Sequence, residues 1–224
     1  MTLDQIINSP SAKWPFAEKT WDFMSGGELA SDFTATAINS GTAAADHGDN
    51  GVVVISGAAT TDASGGNIQT KKKSIYLAQG KCVAGLARVK FSHAILAKFL
   101  FGVTVVDSSA LASRPSDGLY ILKTATDAYA VKGGCSVGSS ESLTGSVGAI
   151  ADDTYTYFGF LISQTGTDKG ELAIFQDNEL LAKLDIASLP TESTGLVLTF
   201  EFMSGSSTGT QTCTIDLLGF AKER

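Results

Sequence analysis

Tyr155-Thr156-Tyr157-Phe158-Gly159-Phe160-Leu161-Ile162 is a short apolar run that stops at the polar break 163–170. Glu171-Leu172-Ala173-Ile174-Phe175-Gln176 then runs into Asp177-Asn178, and Glu179-Leu180-Leu181-Ala182-Lys183-Leu184 comes back. Two further runs, 196–202 and 212–220, follow with turn residues between them. Apolar stretches of this length, divided by Gly, Ser, Asp and Asn, read as antiparallel strands. Working outward, 33–38, 52–56, 73–78, 83–91 and 99–106 read as further strands, while 94–100 also tolerates helix. Segments 118–123 and 128–132 read as a hairpin around 124–127, and the Gly- and Ser-rich 136–150 as an edge strand or long loop. About a dozen strands with no convincing long helix argue for an all-β chain of two packed antiparallel sheets.

Composition bounds the function. The chain has 224 residues, 43% of them hydrophobic and 17% charged, so it can build a real core. A sandwich of this length is commonly one domain. The net charge of -7 opposes binding to a phosphate backbone, so no nucleic-acid partner is expected. The basic cluster Lys71-Lys72-Lys73 reads as a solvated strand start or loop. The longest apolar stretch, 94–106, is broken by Lys98 and is too short to span a bilayer. Met1-Thr2-Leu3-Asp4 lacks the basic and apolar segments of a secretory leader, and no membrane partner is expected. Cys82, Cys135 and Cys213 are odd in number and have no metal-ligand spacing. They read as reduced thiols made in a reducing cytoplasm, with Cys213 alternating with Ile215 and Leu217 on one strand face.

Residues 1–30 differ from the sandwich, 31–224. Residues 1–8 suit a short helical turn that Pro10 stops. Both tryptophans lie in this irregular arm, and Trp14, Phe16, Trp21 and Phe23 crowd into ten residues. Such rings suit either an arm that plugs a sheet end or one that docks on a neighbouring subunit, because a large rigid ring buries much area at low entropy cost.

No catalytic constellation accompanies these strands. Gly134-Cys135-Ser136-Val137-Gly138 matches a nucleophile elbow, but no helix-forming stretch follows it. Both histidines, His47 and His93, precede Ser136, so the triad order fails and the motif reads as a glycine-rich turn. In Asp46-His47-Gly48-Asp49-Asn50-Gly51 a glycine stands where a second calcium ligand belongs, so the segment reads as a turn, with a looser calcium site built from Asp46, Asp49 and backbone carbonyls as the alternative. A glycosidase needs two facing carboxylates. Asp152 and Asp153 are adjacent and diverge on a strand, and Glu171, Glu179 and Glu201 are isolated at strand edges or ends. His93 reads as a hydrogen-bonded structural residue, since with Cys82 it gives zinc only two ligands. No catalytic residue, metal or cofactor is expected.

Several stretches in order resemble a family of tailed-bacteriophage structural proteins with a concanavalin-like jelly-roll fold. Phe101-Gly102-Val103-Thr104-Val105-Val106-Asp107 resembles one of its strands, and Asp117-Gly118-Leu119-Tyr120-Ile121 the next. Ala151-Asp152-Asp153-Thr154 leads into Tyr157-Phe158-Gly159-Phe160 as in that family. Asp177-Asn178 stands where it carries an Asp-Gly hairpin turn, and Asn tolerates the positive φ required. Leu189-Pro190, Thr214-Ile215-Asp216-Leu217 and the ending Glu223-Arg224 complete a likeness over about residues 85–224. The resemblance implies a jelly-roll virion component without enzymatic activity, a capsid decoration (cement) or other head-surface protein. Its implied partners are the major capsid protein and its own copies, as a homotrimer. Trp14, Phe16, Trp21 and Phe23 are the candidate anchors. The rival is a lectin-like module for host surface glycan, with Tyr120, Tyr129, Tyr155 and Tyr157 as candidate ring faces; glycoside hydrolysis ranks last.

Overall fold

The computed structural model describes residues 16–21, 31–46, 51–59, 61, 63–191, 193–205 and 209–223. Its strands form two sheets, and every pairing between named strands is antiparallel. The first sheet runs β14 (Glu179–Ile186), β13 (Gly170–Gln176), β12 (Tyr155–Gln164), β6 (Cys82–Phe91), β16 (Thr212–Glu223), β4 (Val52–Ser56) and β3 (Thr42–Asp46). The second runs β10 (Ser140–Leu143), β9 (Ala130–Val137), β8 (Gly118–Lys123), β7 (Ala97–Thr104), β15 (Val197–Ser204), β5 (Gly65–Thr70) and β2 (Phe33–Ile38), with β11 (Gly148–Ala149) on β9. The order crosses between sheets, as in a jelly roll. No helix among the described residues is long and apolar enough to cross a membrane.

Strand alternation decides what lies between the sheets. On β12, Phe158, Phe160 and Ile162 are buried while Tyr155, Tyr157 and Leu161 point outward. Phe91, Phe99, Phe101, Phe200 and Phe202 meet them from β6, β7 and β15. Ring centroids lie 5.0 Å apart for Phe91–Phe99, 5.3 Å for Phe99–Phe158 and 5.2 Å for Phe101–Phe160. One glycine is demanded by this packing. A Cβ on Gly85 would lie 2.3 Å from the ring of Phe160, so only glycine lets that ring lie across β6.

Where the structure departs from the sequence reading, the causes are local. The arm is not wholly irregular: β1 (Phe16–Trp21) pairs with β16, Phe16 opposite Glu223 and Trp21 opposite Leu218. Leu217 does not continue the Cys213 and Ile215 face. A bulge at Asp216 shifts the register, and Leu218 joins the core instead. The stretch 73–78 forms only an isolated bridge at Ile75, and Lys71, Lys72 and Lys73 are exposed in that connection. Two strands that the sequence conceals are β3 and the fully buried β5, Gly65-Gly66-Asn67-Ile68-Gln69-Thr70. The Asp177-Asn178 turn is as expected: φ is 49° and 69°, and Gln176 pairs with Glu179.

Candidate functional site

The second sheet turns its apolar residues to the core, so its other face carries Asn67 and Gln69 of β5, Thr104 of β7, Tyr120 of β8, Ser136 of β9, and Thr199 and Glu201 of β15. All seven side chains are buried. What covers them is the chain itself: the β7–β8 connection, with its one-turn helix Ala110–Ser113, folds back over this face. Ala110 packs with Leu100, Tyr120 and Leu122, and the partly buried Leu111 packs against that cluster.

Glu201 ties the connection down. One carboxylate oxygen accepts the Ala110 N–H at 2.7 Å and the Asn67 amide at 2.9 Å. The other accepts the Leu111 N–H at 3.2 Å and the Ser109 hydroxyl at 3.3 Å. A carboxylate has about four lone-pair sites, and here four donors fill them. The acid therefore caps the start of the short helix, a role Ser109 does not take with its own side chain. Burial pushes the Glu201 carboxyl up to about 7, opposed by the Leu111 and Ala110 N–H groups and the Ser109 hydroxyl. Asn67 also donates to the Asp107 carbonyl at 3.0 Å, and Gln69 accepts the Asp107 N–H at 3.2 Å. Thr199 links Gln69 and Thr104 beneath.

The far end of the same connection is held by a second acid. Tyr120 donates to Glu141 at 2.6 Å and shares a 2.7 Å contact with Ser136, while Arg114 approaches Glu141 at 3.1 Å. Burial and the Glu141 contact push the Tyr120 phenol well above its ordinary range. Hydrolysis of a glycoside needs two carboxyl groups free to flank a substrate. Glu201 is saturated and enclosed, and Glu141 is held by Tyr120 and Arg114.

The outer face of the first sheet is different in kind. Tyr155 and Tyr157 of β12 sit opposite Lys90 and Arg88 of β6. The Arg88 guanidinium lies 4.2 Å from the Tyr155 ring centroid and 5.5 Å from that of Tyr157, and the Lys90 ammonium lies 5.1 Å from Tyr155. Asp216, the extra residue of the β16 bulge, pairs with Arg88 and raises its pKa. The cluster is open, with Tyr157 39% exposed.

Phe16 and Trp21 lie on β1, whereas Trp14 and Phe23 lie outside the described residues. Tyr120 is in the sealed network, Tyr129 is exposed apart from it, and Tyr155 and Tyr157 share one cluster. Ser136 is buried within strand β9, so only Gly138-Ser139 forms the turn, with φ of 55° and 68°. Residues 47–50 lie outside the described residues, and no group of three or more His, Cys, Asp or Glu that could hold a metal occurs among the described ones. Cys135 and Cys213 are buried, Cys82 is partly so, and burial raises the Cys135 thiol to about 11. His93 is exposed, not enclosed as a structural histidine would be. Glu201 stands mid-strand, not at a strand end, because β15 continues to Ser204. Asn67 and Arg88 were not marked by the sequence, Glu201 was set aside there as an isolated acid, and Asp216 entered only within the Thr214–Leu217 likeness. Lys123 was missed too: it is fully buried, its ammonium donates to the Ala97 carbonyl at 2.6 Å and the Ile95 carbonyl at 3.2 Å, and burial lowers its pKa to about 8.

No protein-family model matches this chain, and no curated protein sequence matches it. Solved structures do match in shape. A protein of unknown function from Shewanella oneidensis aligns with a TM-score of 0.63 at 15% identity, over 99% of this chain and 92% of that one. An endo-1,3-beta-glucanase from Streptomyces sioyaensis gives 0.65 at 9% identity, over 95% and 98%. Peanut lectin gives 0.61 at 9%, over 92% and 97%. The fold is thus a concanavalin-like jelly roll. It is shared by lectins and glycosidases alike and does not choose between them.

Proposed function

We propose that this chain is a non-catalytic virion protein, a decoration module seated on a phage head. The observation that carries the non-catalytic half is Glu201. The buried acid that best suits a reaction has every lone pair engaged by its own chain, under a connection that leaves a substrate no route in. The virion half is supported by the ordered likeness of residues 85–224 to phage structural proteins. In this reading the major capsid protein is the partner, the module assembles as a homotrimer, and Trp14, Phe16, Trp21 and Phe23 anchor it. Strand β1 brings Phe16 and Trp21 to the first sheet beside β16. Mixing the purified protein with undecorated capsids tests the proposal. Co-sedimentation that alanine at Trp14 and Trp21 abolishes is expected; a protein left in the supernatant refutes it. A second reading, adhesion to glycan, is favoured by the open aromatic and charged cluster on β12 and β6.

A further inference from the structure

The two charged clusters differ in one respect that separates structural from binding roles. Glu201 is saturated and enclosed. Arg88 is neither: about a third of its side chain is exposed, it pairs with Asp216, and its Nε–H is enclosed without an acceptor among the described residues. A guanidinium offers five donors, so an ion pair through one terminal nitrogen leaves others for a ligand. The bulge matters here. It inserts Asp216 as a residue with no partner across the ladder and aims its carboxylate at Arg88 beside two tyrosine rings.

We infer that Tyr155, Tyr157, Arg88 and Asp216 form a binding site for a neutral saccharide on the outer face of the first sheet. This site rests on the glycan-adhesion reading above and gives it a location. A sugar ring presents an apolar C–H face and a rim of hydroxyls. The half-exposed Tyr157 supplies a flat apolar platform. Arg88 donates to a hydroxyl oxygen while Asp216 accepts from the neighbouring hydroxyl, so an adjacent donor and acceptor match a vicinal pair. Tyr155, held under Arg88 and Lys90, fixes the guanidinium in place. Asp216, together with Asp177, whose carboxylate accepts the Tyr157 N–H at 2.9 Å, disfavours a polyanionic sugar.

The test is retention on an immobilised array of gluco-, manno- and galacto-configured neutral oligosaccharides, with polygalacturonate as the acidic comparison. Wild type, Tyr157→Ala and Asp216→Asn are compared, each checked for an unchanged melting midpoint. Retention on a neutral sugar is expected, with each variant weakening it about tenfold or more. If the wild type is retained on a neutral sugar and neither variant differs from it, this site is wrong while the glycan reading stands. Retention on none of the sugars overturns both, and preference for polygalacturonate overturns the neutral class.

Discussion

Replacing Glu201 with alanine removes the acceptor that holds the β7–β8 connection over the second sheet. The Ala110 N–H and one amide hydrogen of Asn67 lose their partner while both residues are fully buried. An orphaned buried donor costs about 1–3 kcal/mol. The Leu111 N–H and the Ser109 hydroxyl also lose a contact, but both residues are partly exposed and water replaces some of it. The truncated side chain leaves a void besides. The sum is about 3–5 kcal/mol, a large share of a domain's stability. Urea denaturation followed by tryptophan fluorescence and far-ultraviolet circular dichroism reads it as a lowered midpoint at similar slope. A variant as stable as the parent, or more so, refutes the reasoning. Residues kept for function typically cost stability, so a gain would mark Glu201 as a working acid and not a cap.

Three other outcomes follow from the packing. The folded Glu201 carboxyl, at about 7, lies above the 4.5 of an exposed glutamate, so unfolding releases a proton between those values. The proton-linked part of its contribution is therefore complete below pH 4.5, falls as pH rises and is lost above 7, while its hydrogen bonds to the connection persist; Glu201→Gln, unable to ionise, should flatten this swing of about 3 kcal/mol in chemical melts against pH. Gly85→Ala places a Cβ 2.3 Å from the Phe160 ring and should cost about 1–3 kcal/mol in the same melts; an unchanged midpoint would show that the aromatic layer yields. At Asn178, φ 69°, glycine should be neutral or mildly stabilising while valine destabilises by about 1–2 kcal/mol, and equal midpoints for the two would contradict the type I′ turn.

Much of the fold was legible because its inner faces obey simple alternation. Phe158, Phe160 and Ile162 announce β12, and Asp177-Asn178 announces the turn that returns β13 to β14. The sealed face was not legible, for two physical reasons. Strand β5 opens with Gly65-Gly66-Asn67, residues depleted in strands, and its glycines serve close approach: a Cβ on Gly65 would lie 1.9 Å from the Phe202 carbonyl oxygen. Glu201 and Asn67 are 134 residues apart and meet only because β5 pairs with β15. Nothing in a linear reading brings them together. Arg88 and Asp216 are 128 residues apart, and the bulge that joins them is invisible in the Thr214–Leu217 pattern, which reads as plain alternation. The aromatic crowding at 14–23 was plain in the sequence, but not that its part Phe16–Trp21 is a strand paired with β16.

The most direct measurement is hydrogen exchange at the Ala110 and Leu111 amides of the intact protein, read by nuclear magnetic resonance. If Glu201 seals the polar face, both exchange slowly, the fully buried Ala110 amide with a protection free energy near that of global unfolding. Exchange at the rate of an open loop would mean that the connection lifts freely, that the acid beneath meets solvent and substrate, and that a non-catalytic role does not hold.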